Sequence, residues 1–232
     1  MKRIIIDKEI FDVFPDFRRG IIIAKNVENS SENKRIEDIL NSEIKNREDL
    51  GIDHEFVRKW DIAHRKFGSN PNKFPPSIKS LLKRIKKGGF PFINSVVALF
   101  NYISLKYILP CGGDDIDRVE GNLRLGFAKG NEIFIPLGGR EKENPKENEV
   151  IYYDDKTLNV MCRRWNWRNG ELTKITEKTK NIVINIDAID DIPQKTVEQA
   201  RDELSMLLIE ECNAEVSCDL LNKEKREIEI KL

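Results

Sequence analysis

The segment Arg163–Arg164–Trp165–Asn166–Trp167–Arg168 sets two indoles and three guanidinium groups within six residues. Read as a strand, it sends alternate side chains to opposite faces. Arg163, Trp165 and Trp167 then share one face, and Arg164, Asn166 and Arg168 the other. Two uses fit this arrangement. The indoles cap a core beneath a solvated polar face, or they form a stacking wall for a base or an aromatic side chain, with guanidinium groups ready for phosphate. A second chemistry lies earlier in the chain. From Arg58 to Lys87 ten cations stand against one acid, Asp61. Such a run is either a solvated helix face or a patch for a phosphate backbone. Phosphate contacts position an RNA without reading its sequence.

The remaining reactive side chains point to structural roles. His54 and His64 have no nucleophile or carboxylate at a known distance, so surface or helix-packing roles are expected. Cysteines 111, 162, 212 and 218 lack the two-residue spacing of a zinc or redox motif, and reduced structural thiols are expected. The run Asp114–Asp115–Ile116–Asp117 lacks calcium-loop spacing and reads as an exposed loop. No metal or organic cofactor is required by any of these groups.

The elements that position these groups follow from length and periodicity. The 232 residues slightly favour one domain over two. Forty basic and forty acidic residues cancel, which excludes a general nucleic-acid coat and confines any RNA contact to a local patch. The opening MKRIIIDKEIFDVF reads as a strand rather than a signal peptide, and no apolar run is long enough for a bilayer. A cytoplasmic protein without a membrane partner is expected.

Two strands are predicted over 3–27, with Phe11, Val13 and Phe17 alternating and Ile21–Ile23 as a buried run. Helices are predicted over 29–51, capped by Ser30 or Ser31, and over 54–67, 77–87, 94–108 and 193–213. Gly88–Gly89 stops the third of these. Strands are predicted over 122–128, 132–136, 150–153, 158–168 and 181–186, and a closing antiparallel hairpin over 214–221 and 227–232. This order is α+β.

The middle of the chain resembles a known family. Ile93–Asn94, Val96–Val97, Asn101–Tyr102, Pro110 and Asp115 are similar to a signature of the B3/B4 tRNA-editing domain of the phenylalanyl-tRNA synthetase beta chain. NLRLGFAKGNEIFIPLGG resembles that domain's paired strands and Gly-containing turn, and Val150–Asp154 with Leu158–Cys162 resemble its next hairpin. Gly170–Glu171, Thr173, Ile175 and the run Thr176 to Asn181 resemble its Gly-Glu and Thr-Glu-x-Thr-x-Asn stretch. The likeness covers roughly residues 90–190, and residues 1–232 read as one stand-alone B3/B4-like domain.

The resemblance implies N-terminal strands and helices packed on a mainly antiparallel sheet. It also implies hydrolysis of a wrongly esterified tRNA. In the synthetase the substrate is tyrosine on the phenylalanine tRNA, and a pocket glutamate accepts a bond from the tyrosine hydroxyl. Glu171 falls at that position and is the catalytic candidate. A site built around a hydroxyl rejects the analogue lacking it by about 10⁴–10⁵. One departure stands out: the family's histidine falls at Gly112. The glycine opens room for a different side chain, and the tryptophan–arginine segment remodels a wall that is a glycine-rich turn in the family.

The resulting expectation is a trans-acting editing protein whose partner is an aminoacylated tRNA. Asn101, Gly112, Gly113, Gly138 and Gly139 line its pocket, Trp165 and Trp167 form an aromatic wall, and Lys79, Lys83, Arg84, Lys87, Arg164 and Arg168 hold the RNA backbone. Two alternatives stay open: an RNA-binding module without chemistry, and a small-molecule amidase or esterase.

Overall fold

The computed structural model describes residues 2–88 and 90–231. Ile4 and Ile6 turn inward along strand β1 (Lys2–Ile6). Phe11 and Val13, predicted as strand, instead fall in helix α1 (Lys8–Val13). Ile10 and Phe14 lie one helical turn apart and are both buried, so a single turn of helix buries them together. Ile21–Ile23 occupy the centre of β2 (Arg18–Lys25), buried as predicted.

Helix α2 (Lys34–Asn46) is shorter than predicted, because Asn33 and not Ser30 or Ser31 caps it, accepting the Ile36 N–H at 3.1 Å. Then come α3 (Glu55–Lys66), α4 (Ser77–Lys87) and α5 (Ser95–Tyr107), each within a residue or two of its apolar periodicity. Gly88 leaves α4 at φ +72°, which suits a residue without Cβ. Gly89, the other half of the predicted stop, lies outside the described residues.

Of the exposed loop expected over Asp114–Asp117, Asp114 and Asp115 instead end a strand, β3 (Cys111–Asp115), and Ile116 and Asp117 lie in a 3-10 turn. After β4 (Leu123–Phe127) the predicted strand 132–136 forms only isolated bridges. Beyond β5 (Val150–Asp154) the long strand predicted over 158–168 is corrected to a tight hairpin, β6 (Val160–Arg163) and β7 (Arg168–Asn169). Arg164 and Trp165 both have positive φ, +49° and +64°, so extended backbone breaks there. The last elements are β8 (Ile182–Ala188), α6 (Gln194–Cys212), β9 (Glu215–Leu221) and β10 (Glu227–Ile230). Leu232, at the end of the last predicted strand, lies outside the described residues.

The strands build two mostly antiparallel sheets, ordered β10-β1-β4-β5-β6-β7 and β3-β8-β2-β9. With six α-helices among the described residues this is an α+β fold. The predicted β9–β10 hairpin is not formed. β9 pairs with β2 and β10 with β1, so the Asn222–Lys225 turn carries the chain from one sheet to the other. Helix α6 lies across β2, β8 and β9, and α5 packs on α2, α6 and β3. A Cβ at Gly20 would come within 2.9 Å of Val197 Cγ1, so the glycine permits the close approach of α6 to β2. No helix among the described residues is long and apolar enough to cross a membrane.

Candidate functional site

Strand pairing places a set of polar side chains on one face of the four-stranded sheet. Arg19 pairs with Asp187, Ile21 with Asn185, Gly112 with Asn185, and Asp114 with Val183. Residues opposite one another in a ladder share a face, as do residues two apart along a strand. Arg19, Gly112, Asp114, Asn185 and Asp187 therefore look the same way. The opposite face carries Gly20 and Ile186 and receives α6.

The polar face meets β5 and β6 of the larger sheet across a cleft of about 590 Å³. Its floor is an ion pair. Asp187 accepts the Arg19 Nε–H at 2.7 Å and an Nη2–H at 2.8 Å, and the Trp165 Nε1–H at 3.0 Å. The guanidinium carbon lies 5.0 Å from the Tyr152 ring centroid. Arg84, Asn101, Trp167, Arg168 and Lys174 complete the walls and mouth.

The predicted aromatic wall divides in two. Trp165 is an interior residue, 2% exposed. It meets Phe14, Phe17 and Trp60 edge-on at centroid distances of 4.8, 5.0 and 5.1 Å, and its polar edge reaches the cleft floor through Asp187. Trp167 is half-buried on the cleft wall and meets Phe74 edge-on at 4.7 Å.

The cationic set divides as well. Arg84 and Arg168 are exposed at the cleft, Lys87 is exposed at the end of α4, and Lys83 is half-exposed. Lys79 and Arg164 are corrections. Lys79 is 4% exposed and salt-bridged to Asp61, because helical spacing turns it toward α3 rather than outward. Arg164 is 6% exposed, pairs with Glu149 at 2.7 Å and stacks 3.8 Å from the Phe74 centroid. Neither offers a free charge to RNA.

Asn101, Gly112 and Gly113 line the cleft as grouped in the sequence, whereas Gly138 and Gly139 sit beyond Leu137 at its edge. Glu171 is also beside the cleft rather than on its wall, between the lining residues Gly170 and Lys174. Its carboxylate accepts the Gly138 N–H at 2.9 Å and a bond from the Lys174 ammonium. Lys174 holds its pKa below the ordinary value, so Glu171 is an acceptor and not a proton donor at neutral pH.

The other reactive groups are quiet. His54 caps α3 through Nδ1 and the Phe56 N–H at 3.2 Å. His64 is fully buried, lies 3.1 Å from Asn166 Oδ1, and is pulled down to about 4 by burial, so it stays neutral. Burial pushes the Cys111 and Cys162 thiols up, away from the thiolate a nucleophile needs. Among the described residues no cluster of three or more metal-ligating side chains exists.

Asp114 and Asp115 are buried in β3, not exposed in a loop, because Thr173 and Thr179 bind them at 2.6 and 2.8 Å. Burial raises the Asp114 pKa from 3.8 to about 6. The folded state thus holds this proton more tightly than the unfolded chain. The group's stabilisation is complete below pH 3.8 and is lost as pH rises through about 6. Asp114→Asn keeps an acceptor for Thr173 and removes the titration. Urea unfolding of both proteins should match near pH 4 and favour the variant by about 2–3 kcal/mol at pH 7.5. A difference that does not change with pH refutes this.

The sequence reading missed Arg19, Tyr152, Asn185 and Asp187. A signal was present: Asn185 and Asp187 are polar residues two apart inside the otherwise buried run Ile182–Ala188. That pattern marks a polar strip on one face of a core strand.

A family model described as the B3/4 domain matches residues 59–213. The phenylalanine–tRNA ligase beta subunit of Fusobacterium nucleatum is 30% identical over 46% of this chain and 13% of its own length. Those of Aquifex aeolicus and Protochlamydia amoebophila are 33% and 29% identical, over 44% and 60% of this chain and 13% and 16% of their own lengths. The matched stretch is thus a small part of each relative. An N-terminal fragment of the phenylalanyl-tRNA synthetase beta subunit from Pyrococcus horikoshii aligns over 91% of this chain and 49% of its own, at 17% identity and a TM-score of 0.46.

Proposed function

The chain belongs to the B3/4 domain family, and from that premise we propose that residues 1–232 act as one domain that takes the aminoacylated end of a tRNA into the cleft and hydrolyses a wrongly attached ester in trans. The observation that carries this reading is the cleft itself. It gathers Asn101, Gly112, Gly113, Trp167, Arg84 and Arg168, which are far apart in sequence, around one cavity with cations at its mouth.

The chemistry asked of the protein is modest, because an aminoacyl ester is already activated. A water adds to the carbonyl carbon, the bond to the ribose oxygen breaks, and the proton passes to that oxygen. The protein's task is to hold the ester and stabilise the oxyanion. The Asp187 N–H donates to the Pro110 carbonyl at 3.0 Å and the Asp115 N–H to the Thr173 carbonyl at 2.9 Å. The alternation of an antiparallel ladder then turns the main-chain groups of Gly113 away from β8, toward the open edge of β3. We assign the Gly113 N–H to the oxyanion. Glu171, kept ionised by Lys174, is assigned to the α-ammonium of the esterified residue, and Asn101 and Trp167 to its sides.

The decisive experiment incubates the protein with a panel of charged tRNAs and follows loss of the amino acid. Faster deacylation of at least one ester supports hydrolysis; no acceleration for any refutes it. The backbone contacts have their own test. Arg84→Glu, Lys87→Glu and Arg168→Glu combined should weaken tRNA binding by about tenfold or more and reduce the slope of log K against log salt by about 2–3. Unchanged binding removes the RNA from this face and favours a small-molecule ester or amide as substrate.

One observation favours a second reading, binding without chemistry. Both Glu171 oxygens are already engaged, and position 112 has no side chain to serve as a base. That reading expects salt-sensitive tRNA binding that survives Glu171→Ala, without turnover. Hydrolysis lost in that variant excludes it.

A further inference from the structure

The floor of the cleft carries polar atoms with no partner in the fold. Arg19 spends Nε and Nη2 on Asp187, and its Nη1 is unpaired. The Tyr152 hydroxyl and the Asn185 Oδ1 make no hydrogen bond of normal geometry either, although the Asn185 side chain lies close enough to the hydroxyl to act on it. Arg19 and Tyr152 are each only 2% exposed. All three residues line the cleft. They come from different strands of both sheets, β2, β5 and β8, and the Arg19 guanidinium stacks on the Tyr152 ring. Buried polar groups are costly to leave unmade, and in native proteins they are overwhelmingly satisfied.

The charge balance narrows what satisfies them. Asp187 neutralises Arg19 and already accepts three hydrogen bonds, two from Arg19 and one from Trp165. Asp114 lies close enough to act on both Arg19 and Tyr152, whereas the lining cations Arg84 and Arg168 are exposed at the mouth. A ligand carboxylate would therefore meet Asp187 and Asp114 with no net positive charge to hold it. A ligand ammonium could not accept from Arg19 Nη1. An apolar group would leave all three atoms unsatisfied. A neutral group that both accepts and donates satisfies them together, taking a bond from Arg19 Nη1 and giving one to Asn185 Oδ1 or the Tyr152 oxygen.

We infer that Arg19, Tyr152 and Asn185 form the specificity floor of the cleft and select an aminoacyl group whose side chain ends in a hydroxyl or a carboxamide. This rests on the reading of the cleft as an aminoacyl site. It moves side-chain discrimination away from Glu171, which lies beside the cleft, to residues inside it.

The test measures binding, so it does not depend on turnover. Stable 3′-aminoacylamino-3′-deoxyadenosine probes are titrated in two pairs: threonyl against valyl for the hydroxyl, and glutaminyl against methionyl for the carboxamide. The native protein should bind at least one polar member about tenfold more tightly than its apolar counterpart. Tyr152→Phe should reduce that preference to about threefold or less, while its melting temperature stays equal or rises, because an unpaired buried hydroxyl is removed. The simultaneous loss of preference and retention of stability separates a ligand-reading group from a structural one. Equal binding of both members of each pair, absence of binding by every probe, or a preference unchanged in Tyr152→Phe overturns the inference. Polar preference in a protein that deacylates no tRNA refutes hydrolysis and leaves this assignment standing. Deacylation without polar preference does the reverse.

Discussion

Gly112→Phe is expected to abolish deacylation and probe binding while leaving the melting temperature within about 2–3 °C of the native value. The argument is steric. Gly112 lies in β3 on the polar face, opposite Asn185, and a Cβ built there finds no atom within 4 Å. Its φ lies outside the left-handed region, so any residue can stand there without backbone strain. The added ring enters the cleft and not the core. Gly113 next to it behaves oppositely: a Cβ there would come within 2.7 Å of the Val183 carbonyl oxygen. Gly113→Ala therefore disturbs the β3–β8 ladder and is the wrong probe. The check is a thermal melt beside a deacylation assay and a probe titration. A variant at position 112 that retains full binding removes the cleft from the function altogether.

The largest effect on stability is expected at the other side of the site. Trp165→Ala should cost about 3–5 kcal/mol in urea unfolding. The indole is almost wholly buried and touches Phe14, Phe17 and Trp60, so no solvent can relax into the hole cheaply. Its Nε1–H is also one of three donors on Asp187, and its loss leaves that carboxylate short of a partner. Trp165→Phe should recover part of the packing and none of the hydrogen bond, with a cost between the two. Trp167→Ala, half-buried against Phe74, should cost clearly less and act mainly on ligand affinity. Equal costs at 165 and 167 would contradict the division of roles described above.

Much of the fold was legible because local and long-range preferences agree. Helix α4 follows from Ile78, Leu81, Leu82 and Ile85 at helical spacing and from Gly88 at its end. Strand β8 follows from its branched apolar run. The misreadings have separate physical causes. Cys-Gly-Gly-Asp-Asp has no strand preference of its own; β3 exists because the edge of β8 and the threonines at 173 and 179 supply its partners. The turn in Arg163–Arg168 requires left-handed backbone at an arginine and a tryptophan, which packing of the indole and the Arg164–Glu149 pair enforce. The same tertiary override hid the site. Arg19, Tyr152 and Asn185 lie far apart in sequence and meet only through two different sheets. Lys79 shows the converse. Its position in a basic run suggested exposure, while the one acid in that run, Asp61, is what buries it.

The pairing order has a consequence for how the molecule is made. In one sheet β1 sits between β10 and β4, and in the other β2 sits between β8 and β9. Each early strand is thus completed by one made about two hundred residues later. A nascent chain still short of residue 215 would present both β1 and β2 with an open edge, so neither layer can close before residues 215–230 have emerged. Folding speed is then governed by the slow meeting of remote segments, and the interval before that meeting is when chaperones have most to protect.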